Sequence, residues 1–160
     1  MRKADTYRAV AADIAAVLEG ETNPVARMAT VSCLLAHAFP ANIWTGFYMV
    51  DPGKPGELVV GPYQGTLGCL RIPFGKGVCG VAAETGETQV VADVHDFDGH
   101  IACDSRSVSE IVVPVRHASG DLAGVLDIDN PEAGSFGDVD REWLERITDD
   151  LFAGASRSGG

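Results

Sequence analysis

Two consecutive segments, 108–115 (VSEIVVPV) and 123–130 (AGVLDIDN), alternate acids and apolar residues at a period of two, and Gly120 stands in the short stretch between them. That period is the period of a β-strand, in which successive side chains point to opposite faces. The pattern predicts strands over about 108–115 and 122–129, paired as a hairpin and so part of an antiparallel sheet. On one face it places Glu110 with Val108 and Val112, and Asp127 and Asp129 with Val125. The other face carries Leu126 and Ile128. A solvent-facing polar edge accounts for any one of these acids. If all three point into one cavity, they require a cation, and an ammonium group would meet that need through charge-assisted hydrogen bonds.

The rest of the chain supplies the other layer. Tyr7, Val10, Ala11, Ile14, Val17 and Leu18 recur at helical spacing over 6–19, and Gly20 follows where a helix would stop. A second helix should begin at Asn23 as cap with Pro24 in its first turn, carrying Val25, Met28, Ala29, Ser32, Leu35 and Phe39 on one face. The segment 42–50 (NIWTGFYMV) is aromatic and β-prone, DPGKPG is a turn, and 57–60 returns as a strand. Further strands are expected at 67–72 and 88–91, a short helix at 78–84, and a closing helix at 138–152 with Val139, Trp143, Ile147 and Leu151 on one face. This order predicts an α+β fold, with helices packed on an antiparallel sheet. At 160 residues the chain is expected to form a single domain over 1–154, with 155–160 as a disordered tail.

A net charge of −11 argues against a nucleic-acid backbone or an anionic membrane as partner. The N-terminus lacks the uninterrupted apolar run of a signal peptide, and no segment is long enough to span a bilayer, so the expected compartment is the cytoplasm.

Four cysteines, Cys33, Cys69, Cys79 and Cys103, include no CxxC spacing. Cys33 borders the apolar face of the second helix and reads as a small buried hydrophobe. The other three lie in a loop-rich region. Cys103 sits in the polar segment DGHIACDS, and Cys69 and Cys79 flank LRIPFGKGV, a Pro- and Gly-rich stretch expected to be a mobile loop. A partly exposed thiol with a second thiol in reach is suited to redox chemistry. A metal site using His95 and His100 as extra ligands is the next possibility, although its spacing matches no common zinc pattern. Otherwise the two histidines read as loop-capping or structural. Trp44 and Tyr48 share a strand face and could form an aromatic wall or part of the core.

The run GPYQGTLGCLRIPFGKGVCGVAA, followed by QVVADVHDFDGHIACDSRSVSEIVVPV and GVLDIDN, resembles the free methionine-R-sulfoxide reductases, which are stand-alone GAF domains. The match spans about 42–147. The resemblance implies a GAF-like antiparallel sheet with N- and C-terminal helices packed on one face. It implies Cys103 as nucleophile, Cys69 as principal resolving cysteine and Cys79 as an auxiliary thiol. Trp44, Tyr48, Glu110, Asp127 and Asp129 fall on positions that hold the free amino acid. Three departures stand out: Ile43 separates Asn42 from Trp44, Tyr63 replaces a Phe, and Gly68 replaces an Ala before Cys69.

The resemblance further implies reduction of free L-methionine-(R)-sulfoxide, with no cofactor, through a Cys103 sulfenic acid and a disulfide with Cys69, recycled by a thioredoxin-type dithiol. Glu110 or Asp127 would donate the proton to the departing oxygen. The acids, with Asp104 beside Cys103, should suppress its thiolate until a bound ammonium offsets their charge. They should also select the free amino acid over a peptide, whose nitrogen carries no charge. A GAF small-molecule sensor and a redox switch without turnover are the alternatives. A homodimer is the expected assembly.

Overall fold

A computed structural model describes residues 2–100, 104–149 and 151–152. Helices α1 (Lys3–Val17) and α2 (Pro24–Ala38) come first, and strands β1 (Trp44–Asp51), β2 (Lys54–Gly65) and β3 (Arg71–Pro73) follow. Helix α3 (Gly77–Thr85) leads to β4 (Gln89–Val91) and one 3-10 turn (Val94–Asp96). Strands β5 (Ser109–Arg116) and β6 (Leu122–Asn130) and helix α4 (Asp138–Asp149) complete the chain. The six described strands form one antiparallel sheet in the order β3-β2-β1-β6-β5-β4. The hairpin first read from the alternating acids is therefore β5–β6, and β6 lies near the middle of the sheet.

The two faces of the sheet serve different purposes. Phe47, Ile111, Val113, Leu126 and Ile128 point to one side and pack against Tyr7, Val10 and Ile14 of α1, Met28, Val31 and Leu35 of α2, and Leu144 and Ile147 of α4. The expected packing of N- and C-terminal helices on one face is what forms. The opposite side holds a smaller cluster in which Trp44, Tyr48, Val112 and Val125 meet Val78, Cys79, Ala82 and Ala83 of α3.

The predicted cap of α2 forms, with Asn23 accepting a hydrogen bond from Ala26 N at 3.0 Å and Pro24 opening the helix. The buried stripes differ by a rotation from the expected ones. On α2, Val25 is 60% exposed and Ala29 is exposed, while Val31 is buried. On α4, Val139 is exposed and Asp140 is buried, because its carboxylate accepts from Tyr7 Oη at 2.5 Å, Lys3 Nζ at 3.0 Å and Gly137 N at 2.9 Å. A buried polar network tying α1 to α4 thus overrides the apolar pattern. The predicted strand over 67–72 is also corrected. Leu67 and Leu70 are 78% and 72% exposed, and only Arg71–Pro73 pairs, so β2 is the long strand and 67–70 is a loop. None of the described helices is long and apolar enough to cross a membrane.

Strand β1 passes very close to β2 at Gly46, where an added Cβ would stand 2.1 Å from Tyr63 Cβ and 2.6 Å from Tyr63 Cα. Relief would require moving backbone in a paired strand. Gly46→Ala should therefore destabilise the fold by about 3 kcal/mol, read as a lower urea midpoint.

Candidate active site

The register of the three central strands builds the site. Trp44 lies opposite Asp129, and Asp129 opposite Glu110, so an indole and two carboxyls form one row across β1, β6 and β5. In the next row Gly46, Asp127 and Val112 stand side by side. Two residues further along β1, Tyr48 faces Val125. All these side chains are on the α3 face, and Trp44, Tyr48, Glu110, Asp127 and Asp129 line one cleft together with Cys79.

One wall of the cleft is aromatic. Trp44 stacks on Tyr48 with ring centroids 5.3 Å apart and an interplanar angle of 17°, and on Tyr63 at 4.8 Å and 21°. Tyr63, the substitute for a Phe, thus backs the indole. Gly68 covers this wall: a Cβ there would lie 2.9 Å from the Tyr48 hydroxyl and 3.1 Å from Trp44 Nε1. The absence of a methyl group at 68 leaves the wall unpressed from above.

The other wall is acidic. Glu110, Asp127 and Asp129 are 6%, 5% and 9% exposed. Burial, and then the neighbouring Asp129 and Glu110, push the Asp127 carboxyl well above its ordinary range. Asp129 is raised by burial and by Glu110. Burial and Asp127 likewise push the Tyr48 phenol upward. Trp44 Nε1 and Asp127 Oδ1 are buried without a hydrogen-bond partner among the described residues, so a donor and an acceptor are left open to a ligand.

Of the three cysteines expected to act, Cys103 lies outside the described residues. Cys69 is half-buried between the exposed Leu67 and Leu70 and is disulfide-bonded, while Cys33 and Cys79 are free thiols. The expected mobile loop between Cys69 and Cys79 is corrected: it contains β3 and leads into α3, whose first turn holds Cys79 at 4% exposure. Burial, then Asp127, Glu110 and Asp129, push the Cys79 thiol far upward, and its Sγ lies 3.8 Å from Glu110 Oε2. Cys33 is half-buried rather than buried, with its Sγ 3.7 Å from His37 Nδ1.

Two further expectations change. Asp104 is not an uncompensated charge, since it accepts from Arg106 Nη2 at 2.9 Å, Arg106 Nε at 3.2 Å, Arg106 N at 2.9 Å and Thr66 Oγ1 at 2.7 Å. Arg106 beside it holds its carboxyl well below the usual range and offsets its field. Asp93 is the capping residue of this turn, accepting from His95 N at 3.0 Å, and His95 Nδ1 lies 2.7 Å from the same Asp93 Oδ1, a structural contact. His100 instead lines the cleft, and its Nδ1 is buried without a partner among the described residues. No periodicity marks His100, and only its place inside DGHIACDS pointed toward it. Among the described residues, His95 and His100 join no metal-ligating group, whereas Cys79, Glu110 and Asp127 do, with one ligand atom from each within 4.8 Å of the others.

The family model of the GAF domain matches residues 34–151. The free methionine-R-sulfoxide reductase of Saccharomyces cerevisiae (strain ATCC 204508 / S288c) is 44% identical over 133 residues, covering 81% of this chain and 74% of its own length. That of Escherichia coli (strain K12) is 42% identical over 151 residues, 94% of this chain and 89% of its own. Among solved structures, the free methionine-R-sulfoxide reductase of Neisseria meningitidis in complex with its substrate superposes with a TM-score of 0.91 at 42% identity, covering 99% of this chain and 95% of the other.

The raised Asp127 has a consequence for stability. Above the ordinary carboxylate value of 3.8 the unfolded chain gives up this proton while the folded chain keeps it, so the ligand-free fold loses stability as pH rises toward the folded value. Asp127→Asn removes that contribution. The melting temperature of the ligand-free protein should therefore fall less between pH 5 and pH 8 in the variant than in the parent, measured by thermal denaturation; parallel slopes would contradict this account of Asp127.

Proposed function

This chain belongs to the free methionine-R-sulfoxide reductase family of GAF domains, and from that premise we propose that it reduces free L-methionine-(R)-sulfoxide to methionine. The observation that carries the reading is the composition of the cleft, with a stacked indole and phenol on one wall and three buried carboxyls on the other. A free amino acid has an ammonium group for the acids, and methionine sulfoxide has a methylsulfinyl end for the aromatic faces. A peptide nitrogen brings no charge, so three carboxyls would stay unmatched around it.

Cys103 is the nucleophile in this proposal. Its thiolate attacks the sulfoxide sulfur; the oxygen passes to Cys103 as a sulfenic acid, and methionine leaves with its sulfur reduced by two electrons. The proton required at the departing oxygen comes from the acidic wall. Asp127 suits that role because burial and its neighbours favour its protonated form. The Cys69 thiol then displaces the sulfenic oxygen as water and forms a disulfide. A thioredoxin-type dithiol reduces that disulfide and is itself oxidised to one. The bonded state of Cys69 fits a resolving cysteine, and the pairing with Cys103 is what the family resemblance implies. Cys79, with its thiolate suppressed, is the auxiliary thiol.

Free methionine-R-sulfoxide, its S epimer and an N-blocked peptide, each supplied with a dithiol, test the reading; only the first should be reduced. Turnover of the peptide as well as the free amino acid would sink the role given to the acids, and no turnover of any of the three would leave a binding module. Cys103→Ser should abolish reduction, and Cys69→Ser should yield a single turnover and then stall. Glu110→Gln and Asp129→Asn should each raise KM by roughly 10- to 100-fold, the loss of one charge-assisted hydrogen bond.

A further inference from the structure

Cys79, Glu110 and Asp127 bring a sulfur into a pocket whose proposed ammonium ligand has no need of one. Cys79 projects from the first turn of α3, Glu110 from β5 and Asp127 from β6, so three separate elements converge on one point. Their ligand atoms lie within 4.8 Å of one another, and all three residues are less than one-tenth exposed. The separation of Cys79 Sγ and Glu110 Oε2 is 3.8 Å. A tetrahedral ion with bonds of about 2.3 Å to sulfur and 2.1 Å to oxygen holds those two atoms about 3.6 Å apart, so this pair needs almost no adjustment. Asp127 Oδ1 is buried without a hydrogen-bond partner among the described residues, so one oxygen of the cluster is open to a ligand.

The donor set selects the class of ion. Ca2+ and Mg2+ take six or more oxygen ligands and have little use for a thiolate. One thiolate and two carboxylates in a buried cluster suit a borderline-soft ion, with water in the fourth position. Such an ion would neutralise the charge that the substrate ammonium neutralises, and it would occupy the same carboxylate oxygens.

We propose that Cys79, Glu110 and Asp127 bind one thiophilic divalent cation of the Zn2+ class, and that this cation and a free amino acid exclude each other from the cleft. The metal site stands on the geometry of the three residues; the exclusion rests on the proposed ammonium pocket.

Co2+ titration tests both parts. The protein is used with the Cys69 disulfide formed and with Cys33→Ser, so that Cys79 is the free thiol in reach of the site. An equimolar amount of Co2+ should produce a thiolate-to-cobalt charge-transfer band, and free methionine should bleach it competitively. Adding Cys79→Ser should remove the band; Glu110→Gln should keep the fold and weaken Co2+ binding on the order of tenfold or more. Absence of the band, or its survival in the Cys79→Ser protein, overturns the metal site. Methionine that binds the metal-free protein by calorimetry yet leaves the band unchanged overturns the exclusion. Failure of methionine to bind the metal-free protein overturns the functional reading and, with it, the exclusion, while the metal site remains on its own band.

Discussion

Three carboxyl groups buried on adjacent strands, none of them in an ion pair among the described residues, set the terms for the rest of this molecule. Glu110, Asp127 and Asp129 stand close together out of water, and burial with the neighbouring acids favours the protonated forms of Asp127 and Asp129. That arrangement costs stability, and the apolar core on the other side of the same strands offsets it. Ile111, Leu126 and Ile128 alternate with the acids along β5 and β6 and are fully or almost fully buried under α1, α2 and α4. One face of the hairpin holds the fold together, which allows the other to carry side chains that would not otherwise be tolerated there.

This division of labour was legible in the sequence because it has a period of two. The alternation in VSEIVVPV and AGVLDIDN placed Glu110, Asp127 and Asp129 on common faces, and the strand pairing brought those faces together as one wall. Asn23 and Pro24 likewise announced the start of α2 by local chemistry. What could not be read depended on partners distant in sequence. Asp140 is buried because Tyr7 and Lys3 reach it from the other end of the chain, and that contact turns α4 away from its apolar stripe. The helix expected at 78–84 forms as α3, but its packing on the sheet, which buries Cys79, is a tertiary contact that the flanking Pro- and Gly-rich stretch does not show. Asp104 looked like a bare charge beside a thiol because the bidentate reach of Arg106 is a matter of conformation. The roles of Cys103 and Cys69 came from resemblance to a family rather than from any pattern of charge or spacing.

The cleft also shows how a pocket can be chemically demanding with few polar contacts. Its aromatic wall is tied together by stacking, with Tyr63 behind Trp44 and Tyr48 beside it. Stacked rings offer a flat surface of fixed position at low cost in side-chain entropy. Among the described residues, Trp44 Nε1, Asp127 Oδ1 and His100 Nδ1 are buried without a partner, and all three residues line the cleft.

Asp127 and Asp129 lie on β6, a strand hydrogen-bonded on both sides, to β1 and to β5. Such a strand cannot shift, tilt or lengthen without breaking two ladders at once, so drift in sequence leaves the positions of these two carboxyls unchanged. The described cover of the cleft includes Gly68 and His100, which lie outside the strands of the sheet. Descendants of this chain can therefore change the size and shape of the cleft by altering the cover, while the acids it presents are inherited from the sheet.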